Sequence, residues 1–185
     1  MRKRIFPFLF TLLLAAVLSF SSVSCSSCRN GEVKPTESVE LVYDFNKTIV
    51  EDYDLIASQY DTFRFLEADA EFDCLVSDST PDVISVRTVF QVGDTCITIN
   101  HLENDTVPVI TKENDYWMEC MAINARMPIS LDSALKIAEP YKETLNTRRL
   151  TLRKLVGPPF PEHSEYIFGN GKLFIDSHTG AARTE

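Results

Sequence analysis

Residues 64–74 read RFLEADAEFDC. Small or apolar side chains alternate with acidic ones along it, from Leu66 to Cys74. Such strict alternation is typical of a strand with one buried face and one face in water. The alanine and glutamate content leaves a helix as the alternative. The acidic members of the alternation, called the acidic row below, are Glu67, Asp69, Glu71 and Asp73.

The sequence after the acidic row predicts further strands of an antiparallel sheet. Residues 84–92 alternate in the same way, and the turn signal Gly93-Asp94 leads into the β-branched stretch TCITINH at residues 95–101. Val107–Thr111 and Trp117–Ile123 are two more strand candidates.

A helix is predicted before these strands. Apolar residues recur every three or four positions from Val42 to Tyr60, which predicts a helix over Ser38–Ser58 with Ser38 as its cap. In this interpretation Asp52 lies off the apolar stripe.

The last third of the chain repeats the pattern. A second helix is predicted to begin after Ser130 and to end near Pro140. A strand then starts at Leu150, and Gly169-Asn170-Gly171 is a strong hairpin signal. The order of helix, strands, helix and strands predicts an α+β fold, with helices packed on an antiparallel sheet.

The first 24 residues have the form of a signal peptide. A basic start is followed by an apolar run over residues 5–18, which is shorter than the roughly 20 residues that a membrane-spanning helix needs. The cleavage region Ser22-Val23-Ser24-Cys25 resembles the looser lipobox found in Bacteroides-type lipoproteins. We therefore expect a lipid on Cys25, a flexible tether over residues 25–37, and anchoring in the cell envelope, on the periplasmic side or at the cell surface.

The charge of the chain excludes some classes of partner. Loss of Arg2, Lys3 and Arg4 with the leader changes the formal charge from −9 to −12. A body this acidic repels phosphate backbones, so we expect no nucleic-acid partner.

Four cysteines remain beyond Cys25 and allow three pairings. Cys74 and Cys96 are the candidate disulfide, and buried thiols are the alternative. The remaining two are Cys28 and Cys120.

The chain contains no recognisable catalytic motif. There is no G-x-S-x-G, H-E-x-x-H, P-loop or G-x-G-x-x-G in it. Its three histidines, His101, His163 and His178, are scattered along the sequence. Residues 176–180 are interpreted as a turn in which Asp176 binds local backbone amides and Gly180 takes a positive φ. We expect no enzyme activity, no cofactor and no metal site.

Residues 129–185 resemble a PepSY domain. The likeness lies in ISLDSALKIA at residues 129–138, which is similar to that family's capped helix, and in YIFGNGKLFIDSHTGAARTE at residues 166–185, which is similar to its aromatic strand, tight hairpin and closing Asp-x-x-Thr-Gly. The resemblance implies a PepSY-like unit over residues 128–185. Residues 38–127 are then a candidate diverged copy of the same helix-plus-sheet unit.

The resemblance also implies a class of function. PepSY-like domains occur in propeptides of secreted metallopeptidases and in stand-alone envelope proteins, where restraint of peptidases has been proposed, and the family has no catalytic residues. We therefore expect a non-enzymatic lipoprotein that binds a protein, such as a secreted peptidase. The alternative is a small-molecule or lipid-binding module with a cavity between helix and sheet. The candidate partner contacts are the acidic row and Phe160, which lies among three prolines.

Lipidation at Cys25 is the first testable prediction. The basic, apolar and small-residue segments of the leader should direct cleavage before Cys25 and acylation of its thiol. Intact-mass measurement of the membrane fraction should show a chain that begins at acylated Cys25. A mature chain with an unmodified N-terminus in the soluble fraction would contradict the prediction.

Overall fold

A computed structural model describes residues 42–103, 105–114 and 120–185. These residues belong to one compact unit, Glu37–Glu185. The leader, Cys25, the tether and the predicted Ser38 cap lie outside the described ranges.

The described residues form an α+β fold, as the sequence predicted. They contain two α-helices, one 3-10 helix and nine strands. The helices are α1 (Phe45–Gln59), α2 (Leu131–Ala138) and the 3-10 helix Glu139–Thr144. The strands are β1 (Arg64–Phe72), β2 (Val83–Val92), β3 (Thr95–His101), β4 (Val109–Glu113), β5 (Cys120–Met121), β6 (Arg149–Leu155), β7 (Glu165–Phe168), β8 (Leu173–Asp176) and β9 (Ala182–Thr184).

All nine strands belong to one antiparallel sheet. Its order is β4-β3-β2-β1-β6-β7-β8-β9, and β5 pairs with the end of β6. Each half of the sheet follows one helix: α1 precedes β1 to β4, and α2 precedes β6 to β9. The two predicted units thus share a single sheet through the β1–β6 pair. Whether one unit is a copy of the other stays a prediction.

The first helix begins later than predicted. The Asp44 side chain accepts a hydrogen bond from the backbone N–H of Lys47 at 3.0 Å, so Asp44 is the N-cap and the helix starts at Phe45 instead of near Ser38. The second helix follows its prediction, because Ser130 caps it and the chain tightens into the 3-10 helix at Pro140.

The strand prediction for the acidic row is correct in type and wrong in two details. A register shift between Phe65 and Glu67 puts Phe65, instead of Leu66, in the cluster that packs against the helices. The strand ends at Phe72, so Asp73 lies beyond it and accepts a hydrogen bond from the Asp82 backbone at 2.9 Å.

The register also shows that the candidate disulfide is wrong. Cys96 pairs with Gln91, and Gln91 pairs with Arg64 at the start of β1. Cys74 lies two residues beyond the end of β1, so the two cysteines are separated by roughly 30 Å at the strand rise of about 3.3 Å per residue. A disulfide needs Cα atoms within about 7 Å. No disulfide joins Cys74 to Cys96.

The core lies between the sheet and the helices. Phe45, Ile49 and Ile56 of α1 pack with Leu131 and Ala134 of α2 into one buried cluster with alternate side chains of the strands. Each large apolar side chain buried in this way contributes about 1.5–3 kcal/mol. Because the side chains of both helices join this cluster, both helices lie on the same face of the sheet.

One polar connection ties the two helices together inside this core. Asn46 of α1 accepts a hydrogen bond from the Leu131 backbone at 2.8 Å and donates one to the Tyr166 hydroxyl at 3.3 Å. That hydroxyl donates to the Ile129 carbonyl at 2.7 Å. Burial raises the pKa of Tyr166 to about 12, so its hydroxyl keeps its proton throughout the neutral range.

Replacing Asn46 with alanine should destabilise the whole domain. The Leu131 N–H would lose its partner near the core, so the free energy of unfolding should fall by about 1–3 kcal/mol. The control is Lys47→Ala, which removes an exposed ion pair and should change stability by less than about 0.5 kcal/mol. Urea unfolding followed by circular dichroism measures both. Equal effects of the two variants would contradict the prediction.

Candidate functional site

Within the described residues, one face of the sheet carries no helix, and it is called the open face below. It carries the side chains of β1, β2, β6, β7 and β8 that point away from the core. A depression of about 890 Å³ lies on this face. Its lining includes the acidic row residues Glu67, Asp69 and Glu71.

Three members of the acidic row, Glu67, Asp69 and Glu71, are paired with cations across the sheet. The Arg87 guanidinium lies 2.5 Å from Glu67 Oε1, and its Nε donates to Asp69 Oδ2 at 2.7 Å. Thr151 donates to the other oxygen of Asp69 at 2.6 Å. The register explains these contacts, because Arg87, Asp69 and Thr151 lie opposite one another on three adjacent strands.

Glu67 also faces an arginine of β6, and so does Glu71, the remaining acid of the row on β1. Arg153 lies 3.6 Å from Glu67, and Arg149 lies 3.7 Å from Glu71. The row is therefore an ion-pair network on a central strand, and it does not form a continuous acidic surface. Asp73 is not part of the network, since it lies beyond β1.

Glu67 is the buried centre of this network. Only 3% of the residue is exposed, and the Cys120 thiol donates to its Oε2 at 3.7 Å. Burial raises the pKa of Glu67, and the Asp69 carboxylate raises it further. Arg87 and Arg153 act in the opposite direction without cancelling these effects.

A second buried carboxylate lies on the same face and was not singled out from the sequence. Glu165 of β7 receives two hydrogen bonds from Arg183 of β9, at 3.0 and 2.9 Å. The Arg183 guanidinium also lies 3.7 Å from the centre of the Phe174 ring. Phe174 and the neighbouring Ile167 and Leu155 give the depression an apolar side.

Phe160 projects into solvent from the loop between β6 and β7. Its side chain is 70% exposed, and it takes a φ of 50° in a turn closed by a hydrogen bond from its N–H to the Gly157 carbonyl. Phe160 therefore does not pack back onto the sheet. The loop follows directly on Leu155 at the rim of the depression.

The histidines are used in structural contacts. His101 lies 2.9 Å from Asp52, which also accepts a hydrogen bond from Thr88 at 2.7 Å. Asp52 is buried, so its placement off the helical stripe was wrong. The spacing of Phe45, Ile49, Asp52 and Ile56 by four, three and four could have placed it on the inner side.

The predicted turn at residues 176–180 is confirmed. Asp176 accepts hydrogen bonds from the backbones of His178 and Thr179 at 2.8 and 2.7 Å, and Gly180 has a φ of 75°. Burial raises the pKa of Asp176, but these amides and the His163 ring outweigh it and lower the pKa.

Neither a metal centre nor a membrane span emerges from the part of the chain that the structure covers. Among residues 42–103, 105–114 and 120–185, no three His, Cys, Asp or Glu side chains are arranged to hold a metal ion. Within the same ranges, no helix is long enough and apolar enough to cross a bilayer. The chain matches no protein-family model, no curated protein and no solved structure.

The raised pKa of Glu67 should be visible as a pH dependence of stability. Above the unfolded pKa, the folded protein retains a proton that the unfolded chain releases. The free energy of unfolding should therefore fall as pH rises through the interval between the two pKa values. The Glu67→Gln variant lacks this contribution. The free energy of unfolding of the variant minus that of the original chain should therefore increase with pH above about 4.5, by at most about 1.4 kcal/mol per pH unit.

Urea unfolding of both proteins at a series of pH values between 4 and 7.5 measures this difference. A stability difference that stays constant over the series, or that changes in favour of Glu67, would contradict the assignment. Asp176 also has a shifted pKa. Both proteins contain it, so its contribution to the pH dependence cancels in the difference between them.

Proposed function

We propose that this chain is a non-enzymatic envelope lipoprotein that binds another protein through the open face of its sheet. The observation that carries the proposal is the depression of about 890 Å³ on a face that the helices of the described chain leave uncovered. A concave surface of this size accommodates a protruding loop of a partner.

The side chains of the open face support a protein partner. Arginine and aromatic residues are enriched in protein interfaces, and the depression combines Arg87, Arg149 and Arg153 with Phe174. Four carboxylates, Glu67, Asp69, Glu71 and Glu185, line it beside these three arginines, so the surface carries charges of both signs. A partner loop that carries both acidic and basic side chains would complement it.

The location and the resemblance support a particular partner class. A lipid on Cys25 would hold the body at a membrane, where its partner must also be found. The PepSY-like resemblance of residues 129–185 supports a secreted peptidase that the protein restrains.

Small-molecule binding is the second candidate, and one groove favours it. The groove has a volume of about 460 Å³ and lies between α2 and residues 76–81. Val76, Pro81 and Leu135 give it an apolar wall. Two lysines and two acids, Lys136, Lys142, Asp132 and Glu139, also line it, and Lys142 pairs with Glu139. A small amphipathic molecule would suit this combination. The groove lies outside the open face.

Site-specific photo-crosslinking in the native envelope distinguishes the two faces. A benzophenone amino acid at Ser85 or Asn100, which line the depression, should capture one defined protein. The same probe at Leu55 of α1 or at Lys136 of α2 is the matched control on the helix face and should not capture it. Capture of that protein from the helix face alone would overturn the proposal.

Phe160 should contribute to this capture without contributing to stability. Because its side chain is exposed, Phe160→Ala should change the free energy of unfolding by less than about 0.5 kcal/mol. The yield of crosslinks from Ser85 should fall several-fold if Phe160 anchors the partner beside the depression. Leu55→Ala serves as the control with unchanged yield. An unchanged yield for Phe160→Ala would remove the loop from the interface.

A further inference from the structure

Exposed apolar side chains are concentrated at one edge of the sheet. Leu102 and Val107 lie in the connection between β3 and β4, and Val109 and Ile110 lie in β4 itself. Val107 is 71% exposed and the other three are 45–47% exposed. All five residues of β4 are exposed.

The two edges of the sheet differ in how they are protected from pairing. Proteins usually blunt an edge strand by shortness, a bulge, a proline or a projecting lysine. The β9 edge is three residues long, whereas β4 runs five residues in regular register with β3. Pro108 precedes β4 and therefore limits pairing to residues 109–113.

The lysine of β4 does not protect this edge. The Lys112 ammonium donates a hydrogen bond to the Tyr60 hydroxyl at 3.0 Å and lies 5.7 Å from the centre of the Tyr60 ring. The side chain is thus held against the chain that follows α1. Only the aliphatic stem of Lys112 remains beside the edge.

The charge of β4 selects a second copy of this chain as the occupant. Lys112 and Glu113 cancel, so β4 is neutral although the whole chain has a formal charge of −9. Two copies of an acidic protein repel each other least where a neutral, apolar strand meets its equivalent.

We infer that β4 pairs with β4 of a second copy, antiparallel and about a twofold axis at Thr111. In this register Thr111 lies opposite Thr111, and Ile110 lies opposite the aliphatic stem of Lys112. A register centred on Lys112 would instead place two ammonium groups opposite each other. The Thr111 register keeps the helices of both copies on the same side, so the two open faces continue into each other. The inference is independent of what the open face binds.

The mass of the full chain in detergent, measured by light scattering on a sizing column, tests the pairing. The protein part should have the mass of two copies. Ile110→Lys would place a lysine opposite Lys112 of the other copy and should halve the mass. Adding Lys112→Glu to that variant should restore the larger mass, and the exposed control Val156→Lys should leave it unchanged. A single-copy mass for the unsubstituted chain overturns the inference.

Cysteine crosslinking tests the register. In a background with Cys28→Ser and Cys74→Ser, Thr111→Cys should form a disulfide-linked dimer, because directly opposite residues have Cα atoms about 4.5–5.5 Å apart. Val109→Cys lies on the same side of the strand, but its equivalent in the other copy is about 13 Å away, so it should not crosslink. Equal crosslinking of both variants, or crosslinking of Val109→Cys alone, overturns the register.

Discussion

The antiparallel pairing of β1 with β6 aligns the two halves of the sheet. It joins strands about eighty residues apart in the sequence through five consecutive residue pairs, from Glu67↔Arg153 to Glu71↔Arg149. The pairing turns two separate helix-and-strand runs into one sheet. It also brings the carboxylates of β1 beside the arginines of β6, so the centre of the sheet and the centre of the open face form together.

The same pairing determines where the two faces of the sheet lie. Ala68 pairs with Leu152 of β6, and Leu152 pairs with Tyr166 of β7. The helix-facing residues of both halves therefore form one continuous row across the sheet. Tyr166 then meets Asn46 of α1 and the start of α2 in a single hydrogen-bonded group. Both helices are held on that side, and the depression lies on the opposite side of the sheet.

Local patterns predicted the elements well, because their causes are local. The alternation in residues 64–74, the Ser130 cap and the turn at Asp176 each depend on residues within a few positions of one another. The ion-pair partners of the acidic row could not be predicted from local sequence patterns. Arg87 and Arg153 are 20 and 86 positions from Glu67, and alternation shows which face a side chain occupies without showing which strand lies beside it. Asp52 was misplaced for a different reason, since an acidic residue was assumed to avoid the inner side of its helix.

The ion pairs of the open face reinforce the register of β1 at its centre. The buried Phe65 and Phe72 lie near the two ends of the strand, and the core-facing residues between them, Ala68 and Ala70, are small. A slip by one residue would turn Glu67 and Asp69 into the core, where unpaired carboxylates are strongly unfavourable. A slip by two residues would keep the faces but would move Asp69 away from its position opposite Arg87 and Thr151. The charged network and the packing of Phe65 and Phe72 therefore favour the same register, and with it the alignment of both halves of the sheet.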